Sequence, residues 1–314
     1  MQDAVCRGQG AGEILHPVSC IVNSLDDQPG RAWAVRGQNF PPRILFAWPH
    51  RTIPISVTGP ACALDCAHCG RHYLAHMVPV EQALADPSVH QATSLLISGG
   101  CDPAGRVPVR EHLPAIRALA PGKRLNWHVG LITEEDAAAI APLVDTVSLD
   151  FVGDQATIQE VYGLSATVDD YVAAYRRLRA HGLRVIPHLI IGLRGGRLGH
   201  EGPALDALAE LDPPALVFLV FIPTPGTRYA DCRPPTVDDA AAILCQARVR
   251  FPHKPLLLGC MRPGGAYRTR LDVLAVRAGV NGIVQPAPAA RRLAASLGLA
   301  AMPGDECCVL AVSP

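Results

Sequence analysis

The sequence predicts an α/β fold, a (β/α)8 TIM-type barrel with an N-terminal extension. From Ile53 onward, short apolar runs rich in β-branched residues alternate with helical stretches, the pattern of a parallel sheet with crossovers. About eight such runs fit into 314 residues, the size usual for such a barrel. Apolar residues make up 49% of the chain, ample for a sizeable core. A doubly wound open sheet is the alternative arrangement of the same units.

In order, residues 1–49 show no clear periodic segment and are punctuated by Pro41-Pro42 and Trp48-Pro49. They read as an extension packed on a main domain at 50–314. The expected strands are 53–58, 94–98, 125–131, 146–152, 184–191, 215–222, 255–260 and 279–284. Between the fourth and fifth, Thr167-x-x-Asp170 opens a helix with Tyr171, Val172, Tyr175 and Leu178 on one face, and Gly182 closes it.

Composition excludes several classes of function. Lys plus Arg and Asp plus Glu number 28 each, so nothing favours electrostatic capture of nucleic acid or of a membrane surface. No apolar run approaches the length of a bilayer span, and the N-terminus lacks a basic-then-apolar signal pattern. A cytoplasmic location is expected. There, the eleven cysteines are thiols and metal ligands rather than disulfides.

Cys62-Ala63-Leu64-Asp65-Cys66-Ala67-His68-Cys69 carries the chemistry. Three thiols spaced C-x3-C-x2-C on one short loop can converge on a single inorganic cluster. A structural zinc site wants a second C-x2-C pair, which is absent; haem attachment wants His where Gly70 stands. Three thiolates on a cubic cluster leave one iron open to a substrate or cofactor. In a barrel this loop follows the first strand, at the face where catalytic groups collect. At that face Ser98-Gly99-Gly100 ends the second strand, where glycines admit a ligand close to the backbone. His128, Ser148, Asp150 and His188 either line the cavity or sit at a polar rim, and Asp150 binds a ligand or caps the next helix. Pro223-Thr224-Pro225-Gly226-Thr227 forms a stiff turn after the sixth strand.

The cysteine spacing, with His68 before the last Cys, resembles the radical S-adenosylmethionine enzymes. The resemblance implies that Cys62, Cys66 and Cys69 hold a catalytic [4Fe–4S] cluster whose fourth iron binds S-adenosylmethionine. It implies cofactor contacts at His68, at Ser98, Gly99 and Gly100 (similar to the family's Gly-Gly-Glu, with Cys101 at the Glu position) and at Asp150. Ile190-Ile191-Gly192, with Ile191 as the contact, is similar to the apolar strip against adenine, and Thr224 and Gly226 to the Pro-x-Pro-Gly-Thr segment bordering adenosine.

Cys260 ends the seventh strand, and Cys307-Cys308 lies near the C-terminus. With Cys101 they are candidate ligands of a second iron–sulfur cluster, the alternative being buried unreactive thiols. Ser56-Val57-Thr58-Gly59, Leu96 to Cys101, Ser148-Leu149-Asp150 and Leu258 to Pro263 look like the biotin-synthase-related branch that contains the two-protein, archaeal-type lipoyl synthases. The N-terminal C-x4-C-x5-C triad of single-chain lipoyl synthases is absent, since only Cys6 and Cys20 precede Cys62.

The resemblance implies sulfur insertion into an octanoyl chain on a carrier protein or lipoyl domain. It also implies a homologous second radical S-adenosylmethionine protein and a ferredoxin or flavodoxin as electron donor. A single-cluster enzyme that forms carbon–carbon bonds or rings in cofactor biosynthesis is the alternative, and an iron–sulfur electron carrier is the non-enzyme one.

Overall fold

Parallel strands buried on both faces need apolar residues at nearly every position, except where one face lines a cavity. The computed structural model, which describes residues 28–311, follows that rule. Its strands are β1 Arg43–Ala47, β2 Thr52–Ser56, β3 Val78–Pro79, β4 Ser94–Ser98, β5 Arg124–His128, β6 Thr146–Asp150, β7 Val185–Ile191, β8 Leu216–Val220, β9 Leu256–Leu258, β10 Gly282–Val284 and β11 Ala300–Gly304. They form one parallel sheet in the order β11-β1-β10-β9-β8-β7-β6-β5-β4-β2-β3.

The eight expected strands are β2 and β4 to β10, side by side in chain order. The sheet extends beyond them at both edges, and no ladder joins β3 to β11, so it is a barrel-type sheet left open. Part of the expected extension belongs to this sheet. Helix Gln28–Asn39 packs on helices Val237–Arg250 and Gly265–Arg277, and β1 pairs with β10 and β11. Edge strand β11 tolerates Pro303, which has no ladder hydrogen to donate.

Strand alternation sorts the core into outer and inner layers. Leu95, Ile97, Leu125, Trp127, Val147 and Leu149 face outward to the helices over β4 to β6, and Leu216, Phe218 and Val220 face outward on β8. The inner layer has two characters. On β5 and β6 it is polar, with Ser148 Oγ donating to Asn126 Oδ1 at 2.9 Å. Toward β8 to β10 it is apolar, with Val217, Leu219, Leu257 and Val284 in one cluster. Helix Val168–Ala180 has the expected capping box of Thr167 and Asp170, and Gly182 closes it with φ +74°.

The C-terminal segment closes the barrel from the N-terminal ends of its strands. Arg124 donates to Glu306 at 2.9 Å and to the Leu310 carbonyl, Arg184 donates to the Val309 carbonyl at 2.7 Å, and the Cys307 amide donates to Thr52 Oγ1 at 2.7 Å. Val309 and Leu310 are buried with the apolar inner layer, as is Cys308.

One buried ion pair fixes the turn after β9. Arg262 and Asp272, both with fully buried side chains, meet at 2.7 and 2.9 Å, and Arg262 also donates to the carbonyls of Gly259 and Val284 at 2.6 and 2.9 Å. Asp272→Ala strands the guanidinium without its counter-charge. It is expected to cost about 3–5 kcal/mol, read as a lowered midpoint in urea melts. A melt unchanged from wild type would show that the pair does not hold this turn.

Candidate active site

The cysteine loop follows β2 and is pinned from three sides. The Ala63 amide donates to the Cys101 carbonyl at 2.8 Å, the Ala67 amide to the Val161 carbonyl at 2.7 Å, and the Tyr229 amide to the Ala67 carbonyl at 3.1 Å. The end of β4 presses directly on the loop. A Cβ on Gly100 would lie 2.0 Å from the Ala61 carbonyl oxygen and 2.6 Å from Cys62 Cα, so only glycine fits. From there the Gly100 amide donates to Thr58 Oγ1 at 2.7 Å and the Cys101 amide to Cys62 Sγ at 3.2 Å.

Cys62, Cys66 and Cys69 line a chamber of about 330 Å³ with His68, Ser98, Gly99, Gly100, Cys101, His128 and Asp150. Its apolar wall includes Leu74, Ile190, Leu219 and Met261, and Tyr73, Tyr162 and Tyr171 are also part of the lining. Burial, then the neighbouring thiols Cys69, Cys101 and Cys62, push the Cys66 thiol up to about 12. Burial also raises Cys69, against the backbone amides of Tyr73, Arg71 and His72, which favour its thiolate. Three crowded thiolates therefore need a cationic centre, which an iron cluster supplies. Among the described residues, no three His, Cys, Asp or Glu side chains are gathered tightly enough to hold a single metal ion. Thiols around a four-iron cube stand wider apart, so the donor set suits a cluster rather than a mononuclear site. His68 adds a buried Nδ1 without a hydrogen-bond partner and an edge-on contact with Tyr162 at 5.6 Å.

His128 and Asp150 end β5 and β6, and His188 lies midway along β7. The two imidazoles meet edge to face at 5.2 Å, and His188 pairs in register with Asp150. Burial holds each imidazole down to about 4 and raises the Asp150 carboxyl, so both rings are neutral at physiological pH.

Three sequence expectations need correction. Ile191 packs outward with Leu189 among the helices, and its neighbour Ile190 lines the chamber, as strand alternation requires. Thr224 and Gly226 do not line it either. The Thr224 hydroxyl meets Tyr73 Oη at 3.3 Å, and a Cβ on Gly70 would lie 3.0 Å from the Thr227 methyl, so that turn braces the cysteine loop from behind. Cys101 stands with the first thiol set: burial pushes it up to about 12, followed by Cys62 and Asp150.

Of the other three thiols, Cys307 and Cys308 pack on the barrel's inner layer, and Cys260 is exposed just beyond β9. Asn126 Nδ2 donates to Cys307 Sγ at 3.6 Å, and the Cys308 thiol donates to it as well, which lowers Cys307 and raises Cys308. Cys260, next to the chamber-lining Met261, acts electrostatically on both Cys308 and Tyr73. Cys6 and Cys20 lie outside the described residues. Sequence reasoning missed Tyr73 and Tyr162, and it read Tyr171 only as part of a helix face.

Residues 56–197 match the family described as the Radical SAM superfamily. A biotin synthase from Chlorobaculum parvum is 26% identical over 165 residues, 52% of this chain and 48% of that protein. The chain thus spans about half the length of that curated relative. Among solved structures, methylornithine synthase (PylB) superposes with a TM-score of 0.64 at 15% identity, covering 90% of this chain and 91% of that one. HydG, a maturase of the [FeFe]-hydrogenase, gives 0.67 at 14%, covering 91% and 70%. Streptococcus suis SuiB bound to S-adenosylmethionine gives 0.52 at 14%, covering 76% and 58%. At these identities the structures speak for the fold alone.

An open parallel barrel with three thiols at its catalytic face defines an iron–sulfur enzyme class. Over residues 56–197 the chain matches the radical S-adenosylmethionine superfamily, and its curated relative is a biotin synthase. Its cofactors are a [4Fe–4S] cluster and S-adenosylmethionine. No helix among the described residues is long and apolar enough to cross a membrane.

Proposed function

We propose that this enzyme inserts sulfur at unactivated C–H bonds of an octanoyl chain carried on a protein lysine, as one component of a lipoyl synthase. The observation that carries the reading is a second group of thiols, Cys307 and Cys308 packed on the barrel's inner layer and Cys260, exposed just beyond β9, close enough to act electrostatically on Cys308. Such a set is suited to a second iron–sulfur cluster as the sulfur source.

Bound there, the [4Fe–4S] cluster and S-adenosylmethionine would supply the radical chemistry needed to break an unactivated C–H bond. The chain's own residues then have separable tasks. Cys62, Cys66 and Cys69 hold the cluster, and the end of β4 offers close backbone at Ser98, Gly99 and Gly100. Ile190, Leu219 and Met261 form a wall suited to an aliphatic chain and keep water from it. The proposed partners are an octanoylated carrier protein or lipoyl domain, a homologous second radical enzyme, and a ferredoxin or flavodoxin as electron donor.

Anaerobic reconstitution with iron and sulfide, followed by iron counting and Mössbauer spectroscopy, tests the reading. Wild type is expected to hold about eight irons, and a Cys62/Cys66/Cys69 triple-Ala variant about four. A triple variant without iron would remove the second cluster and leave a single-cluster radical enzyme.

A further inference from the structure

The barrel interior is polar toward β5 and β6 and apolar toward β8 to β10, and His128 and His188 stand on the polar side without a catalytic task so far. His188 Nδ1 lies 3.1 Å from the Ile186 carbonyl oxygen. A carbonyl only accepts, so Nδ1 carries the proton and Nε2 is left as an acceptor. His128 lines the chamber, and neither of its ring nitrogens has a hydrogen-bond partner among the described residues. Ile190, two residues beyond His188 on the same face of β7, begins the apolar wall. A polar acceptor thus adjoins an aliphatic surface within one chamber.

We infer that His128, oriented by its edge-to-face contact with His188, accepts a hydrogen bond from the amide N–H that joins the substrate's acyl chain to its lysine, so that the chain runs onto Ile190 and Leu219. The inference rests on the acyl-chain reading above and adds the residue that selects an amide and sets the chain's depth. Neutral imidazoles suit the role, since an imidazolium would present hydrogens to an N–H that also needs an acceptor. An ester in place of the amide loses the donor and leaves the acceptor unpaired in a buried site, which is where discrimination arises.

The test compares two fluorescent peptides, one with an Nε-octanoyl-lysine and one with the ester isostere in which oxygen replaces that nitrogen. Both are bound anaerobically to reconstituted protein with S-adenosylmethionine and no reductant, so no turnover is needed. Wild type is expected to bind the amide about five- to tenfold more tightly than the ester. His128→Phe keeps an aromatic ring against His188 and is expected to bind both peptides alike, with unchanged affinity for S-adenosylmethionine. His128→Gln restores an acceptor and is expected to recover most of the preference. Equal binding by wild type, or a preference that survives His128→Phe, would overturn the assignment and leave the acyl-chain reading standing. If wild type binds neither peptide, both fail together, and the iron count still decides the second cluster separately.

Discussion

Cys66→Ala is expected to abolish formation of 5′-deoxyadenosine from S-adenosylmethionine. Cys66 is the middle thiol of the loop, and Cys69, Cys101 and Cys62 all act on it electrostatically. Removing it leaves two family-type ligands, and Cys101 cannot substitute freely because its backbone is committed. The Cys101 amide donates to Cys62 Sγ and its carbonyl accepts from Ala63. The fold should persist, since Cys66 is only half-buried and its loss removes a single sulfur, an effect of about 1 kcal/mol. Product formation is measured by chromatography after anaerobic reduction, with a thermal melt as the control. Near wild-type 5′-deoxyadenosine in a well-folded variant would sink the assignment of the triad.

The cadence of the barrel was legible because outward residues on each strand had to be apolar to meet the helices. The three added strands were not. β1 is five residues between prolines, β3 is two, and β11 is a mostly exposed edge strand containing Pro303, so none carries a strong apolar pattern. The site was legible where covalent spacing fixes it, in the cysteine loop, and less so where it depends on which way a strand faces. Positions 188 and 191 differ in parity, so His188 and Ile191 cannot share a strand face, and alternation alone pointed to Ile190. Tyr73 and Tyr162 left no periodic signal, because each reaches the chamber from a short irregular turn between strands. The inward turn of Cys307 and Cys308 depends on Arg124, Arg184 and Thr52 anchoring the C-terminal segment, contacts of long sequence separation that no local pattern encodes.

Gly100→Ala should damage the site nearly as severely as loss of a thiol, though no ligand is touched. The added carbon would sit 2.0 Å from the Ala61 carbonyl oxygen and 2.6 Å from both Cα and Cβ of Cys62. Two of those three atoms are backbone, so no side-chain rotation relieves the contact, and the end of β4 must retreat from the loop. That retreat breaks the bonds from the Gly100 amide to Thr58 and from the Cys101 amide to Cys62 Sγ, and with them the placement of the first ligand. The strain is about 1–3 kcal/mol, small beside the stability of a domain this size but concentrated on the cluster loop. The variant is expected to fold, to retain less iron than wild type, and to cleave S-adenosylmethionine poorly. Gly99→Ala is the milder comparison, because its Cβ meets the Val57 methyl at 3.0 Å, the Thr58 hydroxyl at 3.1 Å and the Thr58 amide nitrogen at 3.3 Å, all well beyond the 2.0 and 2.6 Å contacts at Gly100. Iron content is measured for both. If Gly100→Ala loads and turns over like Gly99→Ala, the close approach of β4 is incidental; if it alone fails, the strand end is what shapes the loop around its cluster.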